Sequence, residues 1–403
     1  MKGEPIEPTA RKERKIGCTT RVAPHHAPQH RLDPHLSVQM RKLSIILCGL
    51  ILFGCSEQSR LSTGPRPNPI RNPTTNPNPT PGGLGLRSLT KNLYIGTAIV
   101  APIPGSDPYA SILANEYNIA IAENVGKMNV VEAKEDVFDF TAQDALVSFA
   151  VAHNMKMQGG PLIWSRAAPG WINKYRGDAA KLTTIMTAYI TTVMQHYSTK
   201  FPGTIIAWEV VNEAATAGLG VFAAVPDCVE LAFQTARAAD PNVALFYNDY
   251  GDETSGATTT KVYNLVAPLK QKGLLDAVGF QSHFGVHNAP RMSAIKTTMD
   301  SLGSIGLDVY VTEFDFSLPS ANGITPDNPR DLILQGTYYN DYLATCLAAP
   351  NCKQFITWGF TDAHSWIPRF FKGAGAALPF DANYDKKPAY YGMQNALSRP
   401  AAR

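Results

Sequence analysis

The stretch IIAWEVVNEA, Ile205–Ala214, decides how the rest of the chain is read. Ile205, Ile206, Ala207 and Trp208 follow one another without polar alternation, the pattern of a parallel strand covered on both faces. The run delivers Asn212 and Glu213 at its end, where a polar pair must meet water or act on something. A second stretch, DVYVTEFDF at Asp308–Phe316, has the same form and brings up Glu313 and Asp315. Either glutamate alone reads as a solvated strand end. Two buried-type strands that each finish in a glutamate point to a pair of carboxylates facing one small molecule.

From Ser88 onward apolar runs alternate with helical patterns. Strands are expected at Tyr94–Val100, Asn118–Glu123, Lys156–Trp164, Ile205–Glu213, Ala244–Tyr250, Ala277–Phe284, Asp308–Phe316 and Phe355–Thr361. Helices are expected between them, at Ala142–Ala152, Ala179–Tyr197, Asp227–Ala239, Thr258–Lys272, Ser293–Leu302 and Pro329–Ala348. Eight strands alternating with helices predict an α/β fold, one closed (β/α)8 TIM barrel over residues 88–398. Two smaller α/β domains are the alternative, but no second linker comes after Leu86. In such a barrel the C-terminal ends of the strands share one rim, so polar residues there converge.

The chain upstream reads differently. Residues 1–39 are basic, with scattered His and Pro and no apolar periodicity, and are expected to be a disordered or untranslated leader. Met40-Arg41-Lys42 then opens a positive region, and LSIILCGLILFG (Leu43–Gly54) is an apolar run of signal-peptide length. It ends in Leu52-Phe53-Gly54-Cys55, the form of a bacterial lipobox. Residues 40–55 are therefore expected to be a lipoprotein-type signal with Cys55 acylated, a plain cleaved secretory signal being the other reading. Residues 56–87, with PNPIRNPTTNPNPTPGG at their centre, can bury almost nothing and read as a semi-stiff tether. An exported protein is expected, a cell-surface or periplasmic lipoprotein or a secreted one, with membrane contact only through the lipid.

Composition narrows the classes further. The 403 residues are 44% hydrophobic and 17% charged, enough for a substantial core, and a net charge of +3 makes no electrostatic case for nucleic acid. No apolar stretch reaches the roughly 18 residues of a spanning helix. The nine histidines show no HExxH or similar spacing, and no Gly-rich phosphate loop comes after a strand, so neither metal nor cofactor is expected. A monomer is expected. Six cysteines fall at 18, 48, 55, 228, 346 and 352. Cys346 and Cys352 are near enough to close a small loop in an oxidising compartment, two buried thiols being the other reading. Cys228 is expected in a helix as a small buried hydrophobe.

The strand ends give a consistent set. Glu123, Asn124 and Lys127 come after strand two, Trp164 after strand three, Asn212 and Glu213 after strand four. Asn248, Asp249 and Tyr250 end strand five, Gln281 and His283 strand six, and Glu313 and Asp315 strand seven. Trp358 ends strand eight, ahead of a loop with Asp362, His364 and Trp366. Carboxylates, amides and tryptophans suit a sugar: flat faces stack on pyranose rings, and amides with carboxylates match dense hydroxyls.

These residues resemble a known family. AWEVVNEA is similar to the acid/base signature of glycoside hydrolase family 10, the retaining endo-β-1,4-xylanases, and VYVTEFD to its nucleophile motif. AENVGK, FYNDY, GFQSHF, WGFTDAHSW and LPFDANYDKKPAYYG resemble further family motifs, in order from Thr97 to Gly392. The resemblance implies an eight-fold barrel, a retaining mechanism and xylan as substrate. TCLAAPNC is similar to a family segment with a disulfide, which favours Cys346–Cys352.

The resemblance also implies roles. Glu313 is expected to be the nucleophile and Glu213 the acid/base, their carboxyls about 5–5.5 Å apart as retention requires. His283 is expected to hold Glu313, oriented by Asp315, and Asn212 to bind the hydroxyl beside the reacting carbon. Gln281 and His283 share a face by strand parity, as do Glu313 and Asp315. Glu123, Asn124, Lys127, Trp164, Asn248, Tyr250, Gln281, Trp358 and Trp366 are expected to contact the sugar chain. One segment departs from the family. GGPLIWSRAAPGW keeps Trp164, but Gly160 and Ser165 stand where the family has histidines and Ala167 where it has glutamine. These changes are expected to weaken or widen the non-reducing-side subsites. Arg166, beside the gap, reads as a solvated surface side chain or as the partner of an acidic branch. Retaining β-glycanase action on another or decorated polysaccharide, and a non-catalytic carbohydrate-binding lipoprotein, are the alternatives.

Overall fold

The computed structural model describes residues 84–90, 92–105 and 108–399. The stretches expected to be leader, signal with Cys55 and linker, up to residue 83, lie outside them. Eight strands make the frame: β1 (Tyr94–Ile99), β2 (Ile119–Ala122), β3 (Lys156–Gly159), β4 (Ile205–Asn212), β5 (Ala244–Asp249), β6 (Ala277–Phe280), β7 (Asp308–Pro319) and β8 (Cys352–Thr357). Each pairs in parallel with the next, and β8 pairs with both β7 and β1, which closes the barrel.

Side-chain alternation builds two apolar layers. In β2 all four residues are buried. Ile119 and Ile121 meet Ala98 and Ile356 inside the barrel, while Ala120 and Ala122 join the shell under the helices. On the opposite side Ala207, Phe246, Ala277 and Tyr310 fill the interior. Strands covered on both faces are what the unbroken apolar runs require.

The helices form the outer ring. Ala179–Lys200 starts on Asp178, whose carboxylate accepts the Lys181 N–H at 3.0 Å, a cap worth about 1 kcal/mol. Its buried residues, Leu182, Met186, Tyr189, Val193 and Tyr197 among them, recur at three and four positions, one stripe against the barrel. Cys228 opens the helix Cys228–Ala239 as a buried free thiol, and Cys346 and Cys352 are joined by a disulfide.

Several expected boundaries move. Strand three is broken into Lys156–Gly159 and Ile163–Trp164, because Gly160 takes a φ of +107° and Pro161 donates no backbone hydrogen bond. Strand six ends at Phe280, with a short strand resuming at His283–Gly285. Strand eight runs Cys352–Thr357 rather than Phe355–Thr361, and Gly359, at φ +99°, turns the chain away. Packing against the barrel begins before residue 88: Leu86 is buried, its N–H bonded to Glu116 Oε2 at 2.8 Å. Arg87 donates to the carbonyls of Ala114, His153 and Asn154.

Asp362 does not join the rim. It is buried, with Oδ2 2.7 Å from Lys387 Nζ and Oδ1 accepting the Leu378 N–H, so it ties the last loop to the barrel. Lys387→Met is expected to cost about 3–5 kcal/mol in urea unfolding, because the carboxylate would stay buried without its cation. Asp362→Asn in the same chain should recover much of that loss. A cost near zero for Lys387→Met would show that the pair holds nothing.

Candidate active site

Both glutamates are delivered by strands whose register shifts near the barrel mouth. Along β4, Ala207 points into the barrel, whereas Trp208, Val210 and Val211 all join the outer shell. Two successive outward valines are possible because the register against β5 shifts between Glu209 and Val211. Such a bulge re-aims the residues after it, turning Asn212 to the mouth. Glu213 comes next, in a left-handed conformation at φ +57°, unusual for a residue with a side chain. Its backbone N–H is held by the Asn248 carbonyl at 2.9 Å. β7 also shifts register, between Val311 and Phe314 against Phe355 and Thr357 of β8, and from beyond that shift Glu313 and Asp315 both reach His283.

His283 joins those two carboxylates. Its Nδ1 lies 2.9 Å from Asp315 Oδ2 and its Nε2 3.2 Å from Glu313 Oε2. Burial alone would lower the imidazole pKa, but the charge and hydrogen bond of Asp315, with those of Glu313, outweigh it and push the value up to about 10. The ring is thus an imidazolium at neutral pH, donating through both nitrogens. Trp366 Nε1 donates to the same Asp315 oxygen at 2.9 Å, and its ring centre is 4.8 Å from that of His283.

Gln281 reaches the other glutamate. Its Nε2 is 3.2 Å from Glu213 Oε1 and 3.1 Å from Asn212 Oδ1. Side chains two residues apart therefore hold the two carboxyls. Strand parity is not the reason, which corrects the expectation. Ser282, between them, is left-handed at φ +62°, fixed by its N–H to Glu253 Oε1 at 2.8 Å and its hydroxyl to Tyr342.

Asn248 also differs from its expected part as a sugar contact. It is fully buried, its Nδ2 donates to Glu313 Oε1 at 2.8 Å, and its Oδ1 accepts from Thr312 at 2.8 Å. Both ends of the amide are occupied, so it positions the carboxylate. Tyr250 stands exposed beyond the end of β5. Trp358 caps the interior layer of Ala98, Ile119, Ile121 and Ile356.

Glu213 is surrounded by donors. Trp164 Nε1 meets Oε2 at 3.0 Å, Arg166 Nε the same oxygen at 3.4 Å, and Gln281 the other. Burial pushes its pKa up and is the largest influence. The bonds from Gln281 and Trp164 and the charge of Arg166 pull it down, and the charge of Glu313 pushes it up; the net shift is upward. A carboxyl raised in this way can carry a proton where an ordinary glutamate does not. Trp164→Phe removes one donor that favours the ionised form, so the acid should keep its proton to higher pH. The alkaline limb of the kcat/KM profile is expected to move up; an unmoved limb would mean that another group sets it.

On the flank, Lys127 donates to Asn124 Oδ1 at 2.8 Å, Asn124 donates to Glu123 Oε1 at 3.1 Å, and the ammonium lies 5.2 Å from the centre of the Trp164 ring. A cleft of about 360 Å³ continues past Glu123 and Asn124 to Trp366, His364 and Phe370.

Glu209 has no signal in the sequence, because it sits inside an apolar strand. It is buried, and burial with the nearby charge of Glu313 pushes its pKa well above the carboxylate range. Its backbone and Cβ fill the place beside Gly160, where an added Cβ would come within 2.5 Å of the Glu209 carbonyl oxygen and 2.8 Å of its Cβ. Gly160 is therefore a packed position rather than an open hole.

A closed parallel barrel with two glutamates at the C-terminal rim, one held by an imidazolium and the other by amide and indole donors, defines a glycoside hydrolase of the two-carboxylate type. Residues 85–396 match the profile of glycosyl hydrolase family 10, and the chain belongs to that family. Among curated relatives, endo-1,4-beta-xylanase B of Thermotoga neapolitana is 30% identical over 77% of this chain and 91% of its own length. Endo-1,4-beta-xylanase C of Phanerodontia chrysosporium is 32% identical over 76% of each. Among solved structures, xylanase 10B of Thermotoga petrophila in complex with xylobiose is 33% identical, with a TM-score of 0.73 over 78% of this chain and 98% of that one.

Proposed function

We propose that the protein is an endo-β-1,4-xylanase that cleaves internal bonds of xylan by double displacement. The observation that carries this reading is the convergence of Glu213 and Glu313 through Gln281 and His283. Glu313 attacks the anomeric carbon while Glu213 gives its proton to the departing glycosidic oxygen. The bond to the leaving chain breaks and a glycosyl ester of Glu313 forms. Glu213, now ionised, takes a proton from water, the water oxygen bonds to the anomeric carbon, and Glu313 departs as carboxylate. The imidazolium of His283 stabilises that departing charge, and Asp315 limits how far it draws electron density from the nucleophile in the first step. Asn212 accepts from Gln281 through Oδ1, which leaves Nδ2 to donate to a hydroxyl next to the reacting carbon. Glu123, Asn124, Lys127 and Trp366 line the side that holds the non-reducing part of the chain.

The relatives that bear the name endo-1,4-beta-xylanase, and a similar xylanase solved with xylobiose, support xylan as the substrate. Release of reducing ends from xylan, but not from β-glucan or mannan, tests the reading, and equal release from all three would refute it. Export with acylation of Cys55 is part of the same proposal: a catalytic head on a tether suits a polymer too large to enter the cell. Mass analysis of the mature N-terminus in the native host should find a lipid on Cys55, and an unmodified cysteine would reject the anchor.

A further inference from the structure

The segment that leaves β3, GPLIWSRAAPG at Gly160–Gly170, contains one charged residue, Arg166. Its Nε lies 3.4 Å from Oε2 of Glu213, and its side chain is 63% exposed, so the rest of the guanidinium fork is open to solvent. No neighbour on the segment offers a long polar side chain toward the sugar. Gly160 has no room for a Cβ, Ala167 is buried, and Ser165 is packed against the segment after β4, where a Cβ on Gly220 would come within 2.9 Å of it. The segment thus presents a cation beside positions where the resemblance leads one to expect two imidazoles and an amide.

We propose that Arg166 selects substrates carrying a carboxylate next to the scissile bond, that is, xylan chains with uronic-acid branches. This rests on the reading of Glu213 as acid/base. The guanidinium touches the carboxyl that would protonate the glycosidic bond, so Arg166 stands within about one sugar's width of the reacting centre. Substituents on the sugars flanking the bond come into its reach. The guanidinium is planar and pairs with carboxylate through two parallel N–H bonds, a match that no neutral branch offers. Beside Glu213 alone, its positive charge opposes protonation of the acid. A substrate carboxylate draws the guanidinium away and leaves Glu213 free to hold its proton. The same contact therefore recognises the branch and readies the catalyst.

The test uses three substrates: native glucuronoxylan, the same polymer with its carboxyls reduced to alcohols, and unbranched xylan. Wild-type kcat/KM is expected to be roughly 5–10-fold higher on the native polymer than on its reduced form, as for a charged hydrogen bond partly screened by water. Added salt should narrow that ratio. Arg166→Gln should bring it close to one, a ratio taken within the variant so that any change in its overall rate cancels. Equal wild-type rates on native and reduced polymer, or a preference that survives Arg166→Gln, would overturn the inference and leave the xylanase reading standing. Wild-type failure on all three would overturn both.

Discussion

Glu313→Gln should abolish xylan hydrolysis, with a fall in kcat of roughly 10⁴–10⁶-fold, the range seen when a nucleophile that works as a unit with its partners is removed. The substitution keeps shape and volume, so the barrel should fold. The amide cannot attack carbon, and it cannot satisfy both donors that now meet the carboxylate, Asn248 Nδ2 at 2.8 Å and His283 Nε2 at 3.2 Å. Binding of xylo-oligosaccharide should survive, because the contacts along the cleft are untouched. This separates an enzyme from a carbohydrate-binding protein that has kept the fold. If the wild type hydrolysed nothing and Glu313→Gln bound oligosaccharide no differently, the chain would be a binder. The expected result is a large loss of rate with the unfolding transition little changed.

Glu213→Gln should produce a different defect. On xylan the leaving oxygen is a poor one and needs the proton, so a loss of about 10²–10⁴-fold is expected, the usual contribution of a positioned general acid. On an aryl xylobioside whose phenol leaves without protonation, the first step should stay fast. The second step should then stall, since no base remains to activate water. A burst of phenol before slow turnover is the expected trace. Azide, which needs no base, should restore turnover by attacking the glycosyl ester. If Glu213→Gln slowed activated and unactivated substrates equally, Glu213 would be a binding residue. The alkaline limb attributed to its raised pKa should also vanish in this variant.

The barrel is legible because parallel strands buried on both faces leave unbroken apolar runs, and the rim because each run stops at polar residues. IIAWEVVNEA and DVYVTEFDF carry both signals at once. The features that escape the sequence lie where local geometry overrides period. Alternation along β4 does not foretell the bulge that turns Val210 and Val211 outward together. Gln281 and His283 both reach the site, but through a left-handed Ser282 rather than a regular strand. Asn248 reads as a rim amide until its two ends are traced to Glu313 and Thr312. Glu209 is invisible to pattern, since a carboxylate in an apolar strand looks like an exception until its burial is seen. Arg166 shows the same limit. Nothing in WSRAAP fixes which way its side chain runs, and only the folded loop brings it to Glu213.

The chemistry depends on Glu313 reaching the anomeric carbon before any water does, across the gap that Gln281 and His283 set. Proton NMR of a xylo-oligosaccharide digest, recorded from the first minutes, tests this directly. Double displacement predicts that the newly formed reducing ends appear first as the β-anomer and only later drift to the equilibrium mixture. First appearance of the α-anomer would mean that water attacks in a single displacement, and would contradict it.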